Sequence, residues 1–240
     1  MKIKETPWEY RNLGVISSIE YYVSAADRLE DLDVVWNSEY VYQVLHIASA
    51  NASALIKAQE NGFRLIEMNI QLKRSLDTIA LPAVFKRYEK VLGHRYADKQ
   101  EIQTIIDIVR QGDMFVTDKV ALDPYFGKKQ SGARYAHWSG DILNNGGITV
   151  LSTYKNKPIG FEIFTEEKGV CTNFIGGVFP DYMNKGLGFA PLYVELLEQK
   201  NRGNKSVVTG VSSNNIPVLK LHELLGFKVE AMSYSLVKHM

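Results

Sequence analysis

The 240-residue sequence predicts an α/β fold with a mixed, largely antiparallel central sheet, preceded along the chain by a smaller half of related design. Three observations carry that expectation. A strand–helix–strand phrase occurs twice, three strand-like runs follow one another through hairpin turns, and a glycine turn then opens into a helix.

The repeat sets the frame for the rest. ANASALIKAQENGFRLI (50–66) and SNNIPVLKLHELLGFKV (213–229) align without gaps at an offset of 164 residues, with Asn51 on Asn215. Leu55 then falls on Leu219, Gly62 on Gly226, Phe63 on Phe227, Met68 on Met232 and Leu72 on Leu236. In each copy an apolar, β-branched run (YVYQVLHIAS; SVVTGVSS) leads to Asn, a short helix, Gly-Phe and an alternating run (RLIEMNIQL; KVEAMSYSL). Asn caps a helix by accepting an orphan backbone N–H, and Gly closes it by entering the left-handed conformation. The alternation puts Val229, Ala231, Ser233 and Ser235 on one face of a strand and Glu230, Met232, Tyr234 and Leu236 on the other. Shared ancestry is the expected reading.

KRSLDTIALP reads as the linker between the copies, which divides the chain into 1–78 and 79–240. In YADKQEIQTIIDIVRQGDMF, Ile102, Ile105, Ile106 and Val109 recur at helical spacing, and Asp98 suits the cap. The next stretch gathers Arg134, Tyr135 and Trp138 on a further helix. ITVLSTY, PIGFEIFTEE and GVCTNFIGGVF then read as three strands. Asn-Lys and Glu-Glu-Lys-Gly supply the turns of an antiparallel meander. The last strand ends at Val178, and an amphipathic helix is expected to start near Leu187.

Twenty-eight Lys and Arg against 27 Asp and Glu leave a net charge of +1. So neutral a chain has no whole-molecule reason to seek a nucleic acid polymer or an anionic membrane, and an anionic ligand must be captured locally. The single cysteine, Cys171, sits in an apolar run, which excludes an internal disulfide and predicts an inert buried thiol. His46, His94, His137 and His239 are scattered, so no metal is expected. No run approaches the roughly 18 apolar residues of a membrane helix. MKIKETPWEYRNLG lacks the apolar centre of a secretory signal, and the cytoplasm is the expected location.

The glycine turn carries the strongest chemical signal. The first N–H groups of a helix lack internal partners and carry the positive end of its dipole. Gly186 and Gly188 let a ligand approach them, an arrangement suited to a pyrophosphate. The dinucleotide fingerprint requires a third glycine where Pro191 stands, and a parallel unit where hairpins lead in. A plain tight turn remains the structural alternative.

VFPDYMNKGLGFAPL resembles the acyl-CoA pyrophosphate loop of the GNAT N-acyltransferase superfamily, and the strand, Asn, helix and Gly-Phe that follow resemble the remainder of that fold, over roughly residues 90–240. GARYAHW (132–138) and LKLHELLGFKVEAMSYSLVK resemble more closely its dTDP-fucosamine N-acetyltransferase branch. The resemblance implies a GNAT fold preceded by a degenerate GNAT-like half, with acyl-CoA as co-substrate and no metal. It implies a dTDP-linked amino-dideoxyhexose as acceptor, a homodimer, and a place in surface polysaccharide (lipopolysaccharide or O-antigen) biosynthesis. The early half has no glycine loop, so it should bind no CoA and act as a scaffold.

The resemblance also distributes roles. Asn184, Lys185, Gly186, Leu187, Gly188 and Phe189 would hold the pyrophosphate. Met183 departs from the usual Arg or Gln, which removes one side-chain contact. The pantetheine arm would lie along the strand from Gly176 through Gly177 and Val178 to Phe179, with the Gly177 or Val178 amide stabilising the developing oxyanion. His222, where Ala58 stands in the early copy, occupies the place of a tyrosine that usually protonates the departing thiolate. The alternative is a ring that simply packs. The strand before Val178 offers Asn173 and no acid. Glu162 on the adjacent strand is then the candidate base, directly or through water, against the alternative of an exposed strand carboxylate. Asn215 is expected to cap its helix, the alternative being that it also touches CoA. Arg134 would pair with the diphosphate, and Tyr135 and Trp138 would stack on thymine or the sugar, unless the aromatics are core and the arginine surface. An acetyl or 3-hydroxybutyryl donor and an amine at C3 or C4 both stay open. So do a different acceptor (a protein N-terminus, a polyamine or an aminoglycoside) and a non-catalytic CoA-binding module.

Overall fold

The computed structural model describes residues 1–240. The chain enters through Lys2–Glu5 (β1), Glu9–Leu13 (α1) and Ser18–Val23 (β2), then Asp33–Trp36 (α2), Tyr42–Ala48 (β3), Ala52–Glu60 (α3) and Arg64–Ser75 (β4). The second part runs through Leu92–Tyr96 (β5), Lys99–Arg110 (α4), Lys128–Asn144 (α5), Ile148–Tyr154 (β6), Lys157–Glu167 (β7) and Val170–Val178 (β8). Ala190–Asn201 (α6), Ser206–Ser212 (β9), Ile216–Leu224 (α7) and Lys228–His239 (β10) complete it. All ten strands form one sheet in the order β1-β2-β3-β10-β4-β9-β8-β7-β6-β5. Only β2–β3 and β8–β9 pair in parallel, so the predicted mixed, largely antiparallel sheet is what forms.

The repeated phrase folds as its residues dictate. The Asn51 side chain accepts from the Ala54 N–H at 3.2 Å, and that of Asn215 from the Val218 N–H at 3.4 Å. Gly62 and Gly226 both sit at φ +84°, in the left-handed region that ends each helix. Asp98 and Glu101 form a reciprocal capping box on α4. The β6–β7 turn lies one residue earlier than expected, on Lys155 and Asn156, both at positive φ, as a two-residue hairpin requires.

Two expectations need correction. KRSLDTIALP is not a free linker: Lys73–Ser75 end β4, and Leu76 and Leu81 are buried in the core under α6. Nor is α6 amphipathic, and it begins at Ala190 rather than near Leu187. It buries Glu195, Glu198 and Gln199 along with its apolar residues. The segment that follows β4 covers its outer side, with Phe85 stacked on Phe189 at 3.8 Å.

The halves are joined through their last strands. β10 lies between β3 and β4, and β4 lies between β10 and β9. The β4–β10 register pairs Asn69 with Ser233, Met68 with Tyr234 and Ile70 with Met232. The 164-residue offset of the repeat carries Asn69 onto Ser233 and exchanges the other two pairs. A pseudo-two-fold axis therefore passes through the Asn69–Ser233 pair. Even the bulges obey it, since the register skips both Ile66 and Glu230, which the same offset relates. Each half gives its final strand to the other. No helix is long and apolar enough to cross a membrane.

α6 and α7 pack on one face of the sheet, in a core with Leu72, Phe164 and Val207. α4 and α5 pack on the opposite face over Leu151, Phe161, Ile163 and Ile175. α1 joins that layer through the Arg11–Asp141 and Glu9–Arg134 ion pairs to α5.

Candidate active site

β8 and β9 are paired only from Val170–Asn173 against Ser206–Thr209 and then separate. Phe174 is an extra residue on β8, because Phe164 pairs with Asn173 while Ile163 pairs with Ile175. Such a bulge bends its strand and ends pairing. The corresponding strands of the first half, β2 and β3, stay zipped through Val23 and Ile47. Only the second half therefore opens a cleft through the sheet.

On the α5 face the cleft opens at a hollow of about 330 Å³ lined by Thr172, Asn173, Phe174, Val208, Gly210 and Ser212. This hollow adjoins a cavity of about 500 Å³, and Glu67, Asn69, Asp118, Tyr135 and Trp138 line both. The cavity floor is the sheet on either side of the pseudo-two-fold, with Glu20, Tyr22, His46, Ser233 and Ser235 contributing. α1, α5 and the stretch around Asp118 form its roof.

Its charges are mixed. Lys119 donates to Glu20 at 2.8 Å, and Arg11 pairs with Asp141. Arg134 spends its Nε on Glu9 at 2.8 Å, while its terminal nitrogens make no hydrogen bond within the chain. Tyr135 stacks on Phe115 at 4.4 Å, and Trp138 meets Phe174 edge-on. All three residues expected to take the acceptor thus line the cavity, although Arg134 is anchored rather than free on the surface.

The glycine turn sits on the opposite face, at the start of α6. Asn184 and Gly186 are at positive φ. The amides of Asn184, Gly186, Leu187, Gly188 and Phe189 donate to no backbone or side-chain acceptor of the chain, whereas that of Lys185 approaches Tyr182 O at 3.4 Å. Five unspent amides at a helix N-terminus fit a pyrophosphate. Met183 is half-buried, and Lys185 is exposed above the Tyr182 ring. On β8 the Phe179 N–H is spent on Ile159 O at 2.8 Å. Strand alternation then turns the Val178 N–H toward the open cleft. Gly177 has φ +154°, and Met114 lies 3.6 Å from where its Cβ would be.

Glu162 is buried, not exposed. Its Oε2 and the Glu195 Oε2 each accept from the Asn173 side-chain NH₂ at 2.7 Å. Burial, and for Glu162 also the charge of Glu195, drives both carboxyls upward, Glu195 to about 7 and Glu162 well above its ordinary value. This cluster faces α6, away from the cavity. Cys171 joins it, its thiol fully buried and pushed up by burial and by Glu195. His222 is buried on α7, with Nδ1–H donating to Val218 O at 2.9 Å and Nε2 without a partner. Burial lowers its pKa, which favours the neutral ring.

The structure thus brings Arg134, Tyr135 and Trp138 to one side of the cleft, and the glycine turn, Asn215 and His222 to the elements on the other, where the side chains of Asn173 and Glu162 also meet Glu195 of α6. Sequence reasoning missed the residues that the first half gives to the cavity, Glu20, His46 and Glu67 among them. One signal was available: the repeat places Ala231 opposite Glu67, the same kind of contrast that singled out His222 against Ala58.

No family model matches the chain. Over 136 residues it is 21% identical to the spore coat polysaccharide biosynthesis protein SpsD of Bacillus subtilis, a match covering 56% of this chain and 46% of that protein. The chain thus spans about half the length of that curated relative. Among solved structures, the GCN5-related N-acetyltransferase of Sphaerobacter thermophilus superposes with a TM-score of 0.66 at 16% identity, over 99% of this chain and 76% of that one. The GCN5-related N-acetyltransferase of Kribbella flavida does so with a TM-score of 0.54 at 16% identity, over 93% and 81%. The chain has the GNAT fold.

Proposed function

We propose that the protein is an acyl-CoA-dependent N-acyltransferase acting on the amine of a dTDP-linked 3-amino- or 4-amino-dideoxyhexose, with acetyl or a short hydroxyacyl such as 3-hydroxybutyryl as the group transferred. One observation carries this reading: a cleft between β8 and β9 joins a turn of unspent amides on one face of the sheet to an open cavity lined mainly by polar residues on the other. The turn would hold the pyrophosphate of CoA, and the free edge of β8 would bond the pantetheine arm as an added strand. The Val178 amide would donate to the thioester oxygen as charge develops there. In the cavity, the terminal nitrogens of Arg134 suit a diphosphate, and Tyr135 and Trp138 offer flat faces to a base or sugar. The likeness to a polysaccharide biosynthesis protein supports a sugar acceptor for surface polysaccharide assembly.

The unpaired carboxylate oxygens of Glu67 and Asp118 favour a second reading, in which the same fold acylates a polyamine. Thiol release from acetyl-CoA separates the two. Turnover with dTDP-4-amino- or dTDP-3-amino-dideoxygalactose is expected. Turnover with spermidine and neither sugar sinks the first reading, and no turnover with any amine leaves a non-catalytic CoA-binding module.

A further inference from the structure

We propose that Glu67, a residue of the N-terminal half, is the general base that takes a proton from the acceptor's ammonium. The inference rests on the acyltransferase reading above. Glu67 lies on β4, two residues from the pseudo-two-fold, and lines both the hollow at the cleft mouth and the acceptor cavity. It therefore stands where a donor threaded through the sheet and an amine held in the cavity would meet. Its Oε2 is buried and within normal hydrogen-bond geometry of no donor, only the Ser212 hydroxyl and the Lys119 N–H lying near the carboxyl. An under-satisfied buried acceptor at such a junction can take a donor from a ligand.

The other carboxylates are committed or elsewhere. Asp118 also lines both spaces and its Oδ2 is likewise unpaired, but its Oδ1 accepts from the Ala121 N–H and the Ser131 hydroxyl, which ties this carboxylate into the roof. Glu20 is held by Lys119 and by the Tyr22 hydroxyl. Glu162 faces α6. The pseudo-two-fold carries Glu67 onto Ala231, which lines a lesser hollow beside β2 and β3 where the strands stay paired. The carboxylate is thus present on the side with the cleft and absent from the side without one.

The titratable groups lining the cavity with Glu67 are Asp118 and Lys119 from the roof, Tyr135 and Arg134 from α5, and His46 and Glu20 from β3 and β2, beyond β10. Burial raises the Glu67 pKa and Asp118 adds to it, while Ser212 and Lys119 oppose. A base whose pKa lies nearer the working pH is better matched to an ammonium.

The step balances as follows. The Glu67 carboxylate takes one proton from R–NH₃⁺, and the freed lone pair forms the C–N bond to the acyl carbon as the C–S bond breaks. The departing sulfur takes a second proton from nitrogen, directly or relayed through the His222 imidazole, and Glu67 returns the first to solvent, giving amide, thiol and one proton.

Glu67→Gln in the full chain tests this, with acetyl-CoA and dTDP-4-amino-dideoxygalactose, or spermidine if only that is acylated by the wild type. The substitution should lower kcat/KM for the amine about 100-fold and leave acetyl-CoA affinity by calorimetry unchanged. The acidic limb of the wild-type pH profile should move to the amine's own pKa. An unchanged rate overturns the proposal. So does a reduced rate that keeps the wild-type acidic limb, which would make Glu67 a positioning residue. A wild-type chain that acylates no amine overturns the underlying reading and this one with it.

Discussion

The buried imidazole of His222 has its Nδ1–H committed to the Val218 carbonyl, and its ring meets Phe227 at 4.7 Å. To protonate a thiolate it must first be protonated at Nε2, against a burial that lowers its pKa. Its contribution as an acid should therefore grow as pH falls, opposite to that of a carboxylate base. His222→Phe is expected to lower kcat about 10-fold or more while weakening acyl-CoA binding less. His222→Tyr should retain activity, and turnover that Phe leaves intact would assign the ring to packing alone. At this scale the caps Asn51 and Asn215 and the inert Cys171 were legible, because each depends on its immediate neighbours. Glu67 was not. Its meaning depends on which strands lie beside it, and only its contrast with Ala231 hinted at a role.

α6 shows what local pattern omits. Its periodicity suggested one apolar face, but residues 76–88 close over its outer side, so its polar residues had to find partners inside. Tyr96 and His94 reach Glu198, and Asn173 bridges Glu195 to Glu162. The two bridged carboxyls have raised pKa values in the folded state. Between the ordinary carboxyl range and those values the unfolded chain has already released protons that the native state keeps. Stability should consequently fall as pH rises from about 5 to about 8. Glu195→Gln is expected to flatten that slope in urea unfolding followed across pH; an unaltered slope would mean the pair is not its source. The cleft is equally invisible to local pattern. GVCTNFIGGVF reads as a strand throughout, and the bulge at Phe174 appears only once β7 is paired with it.

Across the whole molecule, the repeat was legible as two halves, but the order of the strands was not. Pairing between residues more than 150 positions apart leaves no trace in local propensity. Because β10 lies between β3 and β4, residues 79–240 alone would leave β10 without either neighbour, and residues 1–78 would leave β3 and β4 separated. Urea unfolding of the full chain should show one cooperative transition. The 79–240 fragment should lack native near-ultraviolet dichroism until 1–78 is supplied as a separate chain. A fragment that folds and binds acetyl-CoA unaided would show that the shared sheet is not required.

The pseudo-two-fold through Asn69 and Ser233 also bears on how such a site can change under selection. In a symmetric pair of identical chains, one codon writes both walls of a central cavity, so every improvement for the acceptor is imposed on the donor side as well. Here the two walls are separate text. Glu67 can stand where the other half has Ala231, and His222 where it has Ala58, and one copy is free to lack a ligand loop that the other has. Two halves written separately in one chain carry no obligation to compromise.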